Sequence, residues 1–188
     1  MNVIAISGSP RKGNTEWMLN RLLEILAQSG AKVELILLRK KEIKRCTGCL
    51  TCEDRRGFCK LKDDMQDIYP KLLETNAIIL GSPVYFEMIS GLLKNFIDRT
   101  CPIWTKMKGK PMAGLAVAEE GIGQAIQNIK TYASVCGMPW TGSVMALAKV
   151  PGEVARNKNI EQRLKRLAKK LIQQCQSNAT VVLQDKEE

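Results

Sequence analysis

The chain has 188 residues, 45% hydrophobic and 26% charged, which suits one globular domain with a proper core. It contains no histidine, and this excludes Ser-His-Asp and Cys-His catalysis, the helical His-Glu-x-x-His zinc site and mixed Cys/His zinc fingers. The formal charge of +10 gathers at Arg39, Lys40, Lys41, Lys44 and Arg45 and between Arg156 and Lys170; with only 5% aromatic residues to stack bases, it reads as a solvated face or an attraction for anionic cofactors, not as a nucleic-acid surface.

Val3 to Ile6 is a wholly apolar run, the pattern of a buried parallel strand. Ser7 to Thr15 is a loop rich in glycine and hydroxyls. A helix follows to about Ser29, with Trp17, Met18, Leu22, Ile25 and Leu26 on one face and Gly30 as its stop. Val33 to Leu38 is a second strand, and a cysteine loop occupies 46–60. Asp63 and Asp64 open a helix through about Glu74, where acids favour the helix dipole. Ala77 to Leu80 is the third strand, Gly81 to Phe86 its loop, and Ile89 to Asp98 a helix. Pro111 to Ala118 is the fourth strand, Glu119 to Gly123 its loop, and 124–135 a helix. Gly142 to Leu147 is a fifth strand, and the last helix runs from about Asn159 to Gln174, with a frayed tail ending at Glu188. Val181 to Leu183 could dock on a neighbour.

Strands alternating with helices predict an α/β protein: a doubly wound, five-stranded parallel sheet covered by helices on both faces. No linker or repeat divides it, so residues 1–188 read as one domain with the cysteine loop inserted. A ligand belongs outside the carboxyl ends of the strands, and the loops at 7–15, 82–87 and 119–123 all follow strands at that end.

The loop at 7–15 leaves a buried strand and enters a helix, whose N-terminus offers free N–H groups and partial positive charge. Gly8 and Gly13 let backbone approach an anion; Ser7, Ser9, Asn14 and Thr15 add donors, and Arg11 and Lys12 add charge. The pattern is neither Gly-x-Gly-x-x-Gly nor a Walker loop, so a single phosphate monoester fits better than a dinucleotide or ATP. The plainer reading is a turn capped by Asn14 or Thr15. In Ser82-Pro83-Val84-Tyr85-Phe86, backbone N–H groups could face the polar edge of a ring. Tyr85 and Phe86 offer flat apolar surface, unless they are a core pair under a turn. Glu119, Glu120, Gly121 and Gly123 would flank the same site. Backbone N–H groups, rather than the two carboxylates, would face a reduced anionic ring.

Cys46, Cys49 and Cys52 recur at three-residue intervals, and Cys59 follows. Such a thiolate set suits an iron–sulfur cluster or zinc, and redox-active free thiols remain open. Lys44, Arg45, Arg55, Arg56 and Lys60 would offset thiolate charge. Cys101, Cys136 and Cys175 are scattered and read as packing residues. Seven cysteines leave one unpaired, which argues against a secreted disulfide framework. The start shows no charged leader and no run reaches the length of a membrane span, so the expectation is a soluble cytoplasmic protein without a membrane partner.

Ile-Ser7-Gly-Ser-Pro-Arg-x-Gly-Asn-Thr15, the Cys-x-Gly-Cys-x-x-Cys loop with Lys62-Asp-Asp-Met65, Gly81-Ser-Pro-Val-Tyr-Phe86 and Leu93-Lys-Asn-Phe-Ile-Asp-Arg99 together resemble the NADPH-dependent FMN reductase and iron–sulfur flavoprotein family, over roughly residues 1 to 150. The resemblance implies a flavodoxin-like fold and non-covalent FMN. The phosphate would lie on Ser7, Ser9, Arg11, Asn14 and Thr15, and the ring against Pro83, Val84, Tyr85 and Phe86, with 119–123 beyond. It implies a flavin oxidoreductase taking electrons from NAD(P)H or a reduced ferredoxin-like donor to a quinone, flavin or other small acceptor. It also implies a homodimer or homotetramer, with the helix at 89–98 near an interface. Cys46, Cys49, Cys52 and Cys59 match the ligand spacing of a [4Fe–4S] cluster in the iron–sulfur branch. The alternative of a different class is a non-enzymatic electron carrier or redox sensor whose cysteine loop responds to oxidation.

Overall fold

The computed structural model describes residues 1–54 and 57–184. Arg55, Arg56 and the tail from Asp185 lie outside the described residues, as do the side chains of Val181 to Leu183.

Strand β1 (Asn2–Ser7) is buried on both faces from Val3 onward. Its alternating side chains feed two cores. Ile4 and Ile6 pack with residues of α3 (Met65–Glu74), α4 (Gly91–Arg99) and α5 (Ala125–Val135), while Val3 and Ala5 pack with α1 (Asn14–Gln28) and α6 (Lys158–Gln184). The period-two side-chain alternation of a strand makes this division possible.

With β2 (Lys32–Leu37), β3 (Ala77–Tyr85), β5 (Met112–Ala118) and β6 (Trp140–Leu147), the parallel strands lie in the order β2-β1-β3-β5-β6. This is the doubly wound order in which the chain reverses direction across the sheet between β1 and β3. The short α2 (Thr51–Asp54) lies in the cysteine loop. A sixth, two-residue strand, β4 (Met88–Ile89), runs antiparallel to the end of β3, so the expected five strands gain a short partner.

The Gly30 stop is a Schellman turn. Gly30 sits at φ +84, its N–H donates to Ala27 O at 2.9 Å, and the Ala31 N–H donates to Leu26 O at 3.1 Å. α6 continues well past the expected Gln174, because no glycine or proline interrupts the chain there.

The third strand also outruns its expected end at Leu80. Ser82 and Pro83 pair with Ala116 and Val117 of β5. The last bond from the β1 side is Gly8 N–H to Gly81 O at 2.8 Å. Pro83 lies past the end of β1, so its missing N–H costs no ladder bond. The turn that follows is Phe86-Glu87, both at positive φ (+47 and +66). Two non-glycine residues there are a strained choice, held by Gln124 N–H donating to Glu87 O at 2.6 Å.

Candidate functional site

The carboxyl ends of β1, β3, β5 and β6 open into one cleft, the place where a doubly wound sheet offers a ligand site. One end is the start of α1. Gly13 caps it without a side-chain bond, and a Cβ on Gly13 would meet nothing within 4 Å. Among the described residues no side chain caps this terminus, so the N–H groups of Asn14, Thr15 and Glu16 remain open to an anion. Arg11 stands exposed beside them. Glu16, in the same first turn, is neutralised by Arg39 at 2.5 Å, so its buried carboxylate does not oppose an anion there.

The rest of the lining is mostly apolar, Pro83, Val84, Tyr85, Val117, Ala118, Ala148, Val150 and Pro151, with Glu119 and Lys149 as its charged members. An open helix terminus joined to a mostly apolar wall suits the phosphate and ring of FMN.

Of the residues expected here, Ser9, Arg11, Gly13, Asn14, Thr15, Pro83, Val84, Tyr85 and Glu119 line the cleft. Several others stand elsewhere. Ser7 is fully buried, and its hydroxyl accepts the Ser9 N–H at 3.5 Å. Ser82 is fully buried too. Its Oγ accepts the Ser90 N–H at 2.9 Å and donates to Pro83 O at 2.7 Å. Ser90 donates to Gly8 O at 2.6 Å and caps α4 by accepting the Leu93 N–H at 3.1 Å. These two serines stitch the loop at 7–15 to β3 and α4. A Cβ on Gly8 would stand 2.5 Å from Leu93 Cβ, which is why that contact takes a glycine.

Lys12, Phe86, Glu120, Gly121 and Gly123 are not among the lining residues, and Phe86 is fully exposed. Gly123 lies under the strained turn, where a Cβ would come 2.5 Å from Glu87 O. Asn14 does more than line the cleft. Its amide donates to Val150 O at 2.8 Å and accepts from the N–H of Gly152 at 2.9 Å. It thereby holds the loop at 148–152 against the start of α1.

That loop is a wall the sequence reading passed over. The available signal was its position at the carboxyl end of the fifth strand. Its form is set by Glu153, whose carboxylate accepts the N–H groups of Lys149 at 2.7 Å and Val150 at 3.1 Å. Those backbone bonds hold Glu153 below the usual carboxylate range.

The cysteine loop forms a second locus. Cys46 and Cys49 are exposed, and Cys52 and Cys59 are half-buried. Bonds from the Thr51 hydroxyl and N–H lower the Cys49 thiol to about 7, with a smaller contribution from Lys60. Among the described residues no three His, Cys, Asp or Glu side chains converge on one metal position. The donor chemistry and spacing of the four thiols still fit a four-thiolate cluster.

The ends of this loop are tightly held. Lys44 N–H donates to Asp63 Oδ2 at 2.9 Å, Glu42 N–H to Asp64 Oδ2 at 2.8 Å, and Asn95 Nδ2 to Ile43 O at 2.9 Å. Asp63 therefore does not simply face the dipole of α3. It accepts the Met65 N–H at 3.1 Å and pairs with Arg99. Cys136 is buried and Cys175 half-buried against apolar neighbours, as expected of packing residues. Cys101 departs from that expectation, with its sulfur 3.5 Å from that of Cys52. Among the described residues no helix is long and apolar enough to cross a membrane.

The model of a family described as NADPH-dependent FMN reductase matches residues 1–152. An iron–sulfur flavoprotein of Methanocaldococcus jannaschii is 42% identical over 119 residues, covering 63% of this chain and 61% of that protein. An iron–sulfur flavoprotein of Archaeoglobus fulgidus is 36% identical over 161 residues, covering 82% of this chain and 72% of that protein. The alignment thus spans about three fifths of the first relative's length. A solved flavodoxin from the domain Archaea superposes with a TM-score of 0.65 at 18% identity, covering 94% of this chain and 99% of that one; the fold is flavodoxin-like.

Proposed function

Because the chain belongs to the NADPH-dependent FMN reductase family, we propose that it is a flavin oxidoreductase holding FMN in the cleft at the carboxyl end of its sheet. The observation that carries this reading is the joining of the uncapped α1 terminus, with Arg11 beside it, to the apolar wall of Pro83, Val84, Tyr85, Val117 and Ala118. Bound FMN supplies hydride and single-electron chemistry. The chain's own part is to bind and orient. The N–H groups of residues 14–16 and Arg11 take the phosphate, the apolar wall flanks the ring, and Asn14 keeps the 148–152 loop closed on it.

The electrons come from NAD(P)H or a reduced ferredoxin-like donor and pass to a quinone, free flavin or other small acceptor. The four thiols Cys46, Cys49, Cys52 and Cys59 would hold a [4Fe–4S] cluster. Two relatives are named iron–sulfur flavoproteins, and the spacing of the four thiols in this chain suits the same assignment here. Such a cluster supplies one-electron transfer. The exposed Tyr85, Phe86 and Met88 at the rim suit a homodimer or homotetramer in which a second copy meets the site. The free cysteines suit a reducing compartment, which supports a cytoplasmic reading.

The anaerobic absorbance spectrum of freshly purified protein, with iron, sulfide and zinc assays on the same sample, tests this assignment. Flavin bands bleached by NADPH support a reductase, and a broad iron shoulder with matching sulfide supports the cluster. Protein that is colourless and takes up no FMN overturns the reading. A second reading, an electron carrier without turnover of small acceptors, is favoured by the exposed cysteine loop. It predicts that NADPH leaves the flavin oxidised while a reduced ferredoxin bleaches it.

A further inference from the structure

We propose that Cys52 and Cys101 form a redox-active dithiol, which a hydroperoxide oxidises to a disulfide that ties the cysteine loop to the segment Cys101–Met107.

The two sulfurs are 3.5 Å apart although 49 residues separate them in the chain. A disulfide needs about 2.0 Å between sulfurs, so a shift of roughly 1.5 Å closes the bond. Both thiols are half-buried, which leaves them open to a small oxidant. Their meeting is supported by backbone as well as by the sulfurs. Gly57, at φ +101, donates its N–H to Cys52 O at 3.1 Å. A Cβ on Gly57 would stand 2.9 Å from Pro102 O, so Gly57 rests directly on the segment that begins at Cys101.

Cys101 is anchored to the core. Thr100 donates its N–H to Ile97 O at 3.0 Å, and its hydroxyl meets Tyr132 Oη at 2.8 Å. Pro102, Ile103 and Met107 are buried in the core. Cys101 is therefore fixed to the body of the protein, and Cys52 is the partner carried by the loop.

The step balances. One thiolate attacks the terminal oxygen of the hydroperoxide, giving a sulfenic acid and an alcohol, or water from hydrogen peroxide. The second thiol displaces water from that sulfenic acid and forms the S–S bond. Two electrons pass from the sulfurs to the O–O bond, and the two S–H protons leave on the oxygen products. The disulfide also withdraws Cys52 from the set Cys46, Cys49, Cys52 and Cys59. This consequence rests on the cluster assignment proposed above; the dithiol itself does not.

The test uses the full chain, reduced anaerobically, desalted, treated with hydrogen peroxide and quenched with an alkylating agent before peptide mapping. Cys52 and Cys101 should leave the alkylated set together and reappear in one linked peptide. Five of the seven cysteines should stay alkylated, and dithiothreitol should restore both. In Cys101→Ser, dimedone should trap Cys52 as the sulfenic acid. Cys101 that stays alkylated while Cys52 links to Cys46, Cys49 or Cys59 overturns the proposal. Iron and sulfide reconstitution of the same samples separates the two readings. Reduced protein that loads iron while the linked form does not supports the shared use of Cys52. A linked form that loads equally overturns the withdrawal. Reduced protein that forms the link yet never loads iron removes the cluster and leaves the dithiol standing.

Discussion

Arg99 and Asp63 are buried partners at the base of the cysteine loop. The guanidinium grips the carboxylate in a fork, Nη1 to Oδ2 at 2.5 Å and Nη2 to Oδ1 at 3.0 Å, with side-chain exposures of 1% and 0%. The same Nη1 donates to Lys44 O at 2.6 Å, and Asp63 accepts the Lys44 N–H. One ion pair thus holds the segment entering the loop, the segment leaving it and the end of α4. The cost of desolvating both charges is offset by the surrounding bonds only while the pair is intact.

Removing one partner should therefore be expensive. Arg99→Leu or Asp63→Ala should cost about 3–5 kcal/mol, the usual penalty for leaving a buried charge alone. Urea unfolding reads the loss, and hydrogen exchange should locate the opening at Lys44 and Met65. A variant as stable as the parent would remove this pair from the account of the loop.

The pair also sets a pH dependence. Burial pushes the Asp63 carboxyl up, but the Arg99 guanidinium and the N–H groups of Lys44 and Met65 outweigh it and hold the group below the usual aspartate range. A depressed folded value means the contribution is fully present above about pH 3.9, the ordinary aspartate pKa, and is lost as pH falls through the folded value. Glu161, held low chiefly by its bond to Arg21, adds to the same acid limb. The measurement is therefore comparative: unfolding midpoints against pH should fall less steeply in acid for Asp63→Asn than for the parent.

Arg11 is exposed beside the open terminus of α1, so Arg11→Ala should leave stability unchanged. A charge-assisted bond is worth about 1.5–3 kcal/mol, and an exposed one sits at the low end. FMN should bind about tenfold more weakly by flavin fluorescence titration, with riboflavin binding unaffected. Equal loss for both ligands would place Arg11 against the ring instead.

Asn14 should behave differently, because its side chain holds a loop. Asn14→Ala frees the carbonyl of Val150 and the N–H of Gly152, at about 1–2 kcal/mol. Riboflavin and FMN should both weaken by a similar factor, alongside a lower melting temperature. A loss confined to FMN would make Asn14 a phosphate ligand.

The parts of this architecture that were legible in the sequence are those written in local signals. The apolar run Val3 to Ile6, the period of α1 and the left-handed Gly30 each declare themselves within a few residues. Gly81-Ser82-Pro83 is the opposite case. These are turn-forming residues, yet they stay in the strand because β5 pairs with them and Ser90 answers the Ser82 hydroxyl. The Phe86-Glu87 turn carries neither glycine nor asparagine and is held from Gln124. The 148–152 wall reaches the cleft through Asn14, 136 residues before Val150, and Cys101 meets Cys52 across 49 residues. Partners this remote leave no periodicity to read.

The most direct measurement of the central claim is a side-by-side titration of flavin-free protein with FMN and riboflavin, followed by flavin fluorescence. The open N–H groups of α1 together with Arg11 predict that FMN binds about 100-fold more tightly, roughly 2.8 kcal/mol at 1.4 kcal/mol per decade. Equal affinities, or no binding of FMN, would contradict the assignment of this cleft as an FMN site.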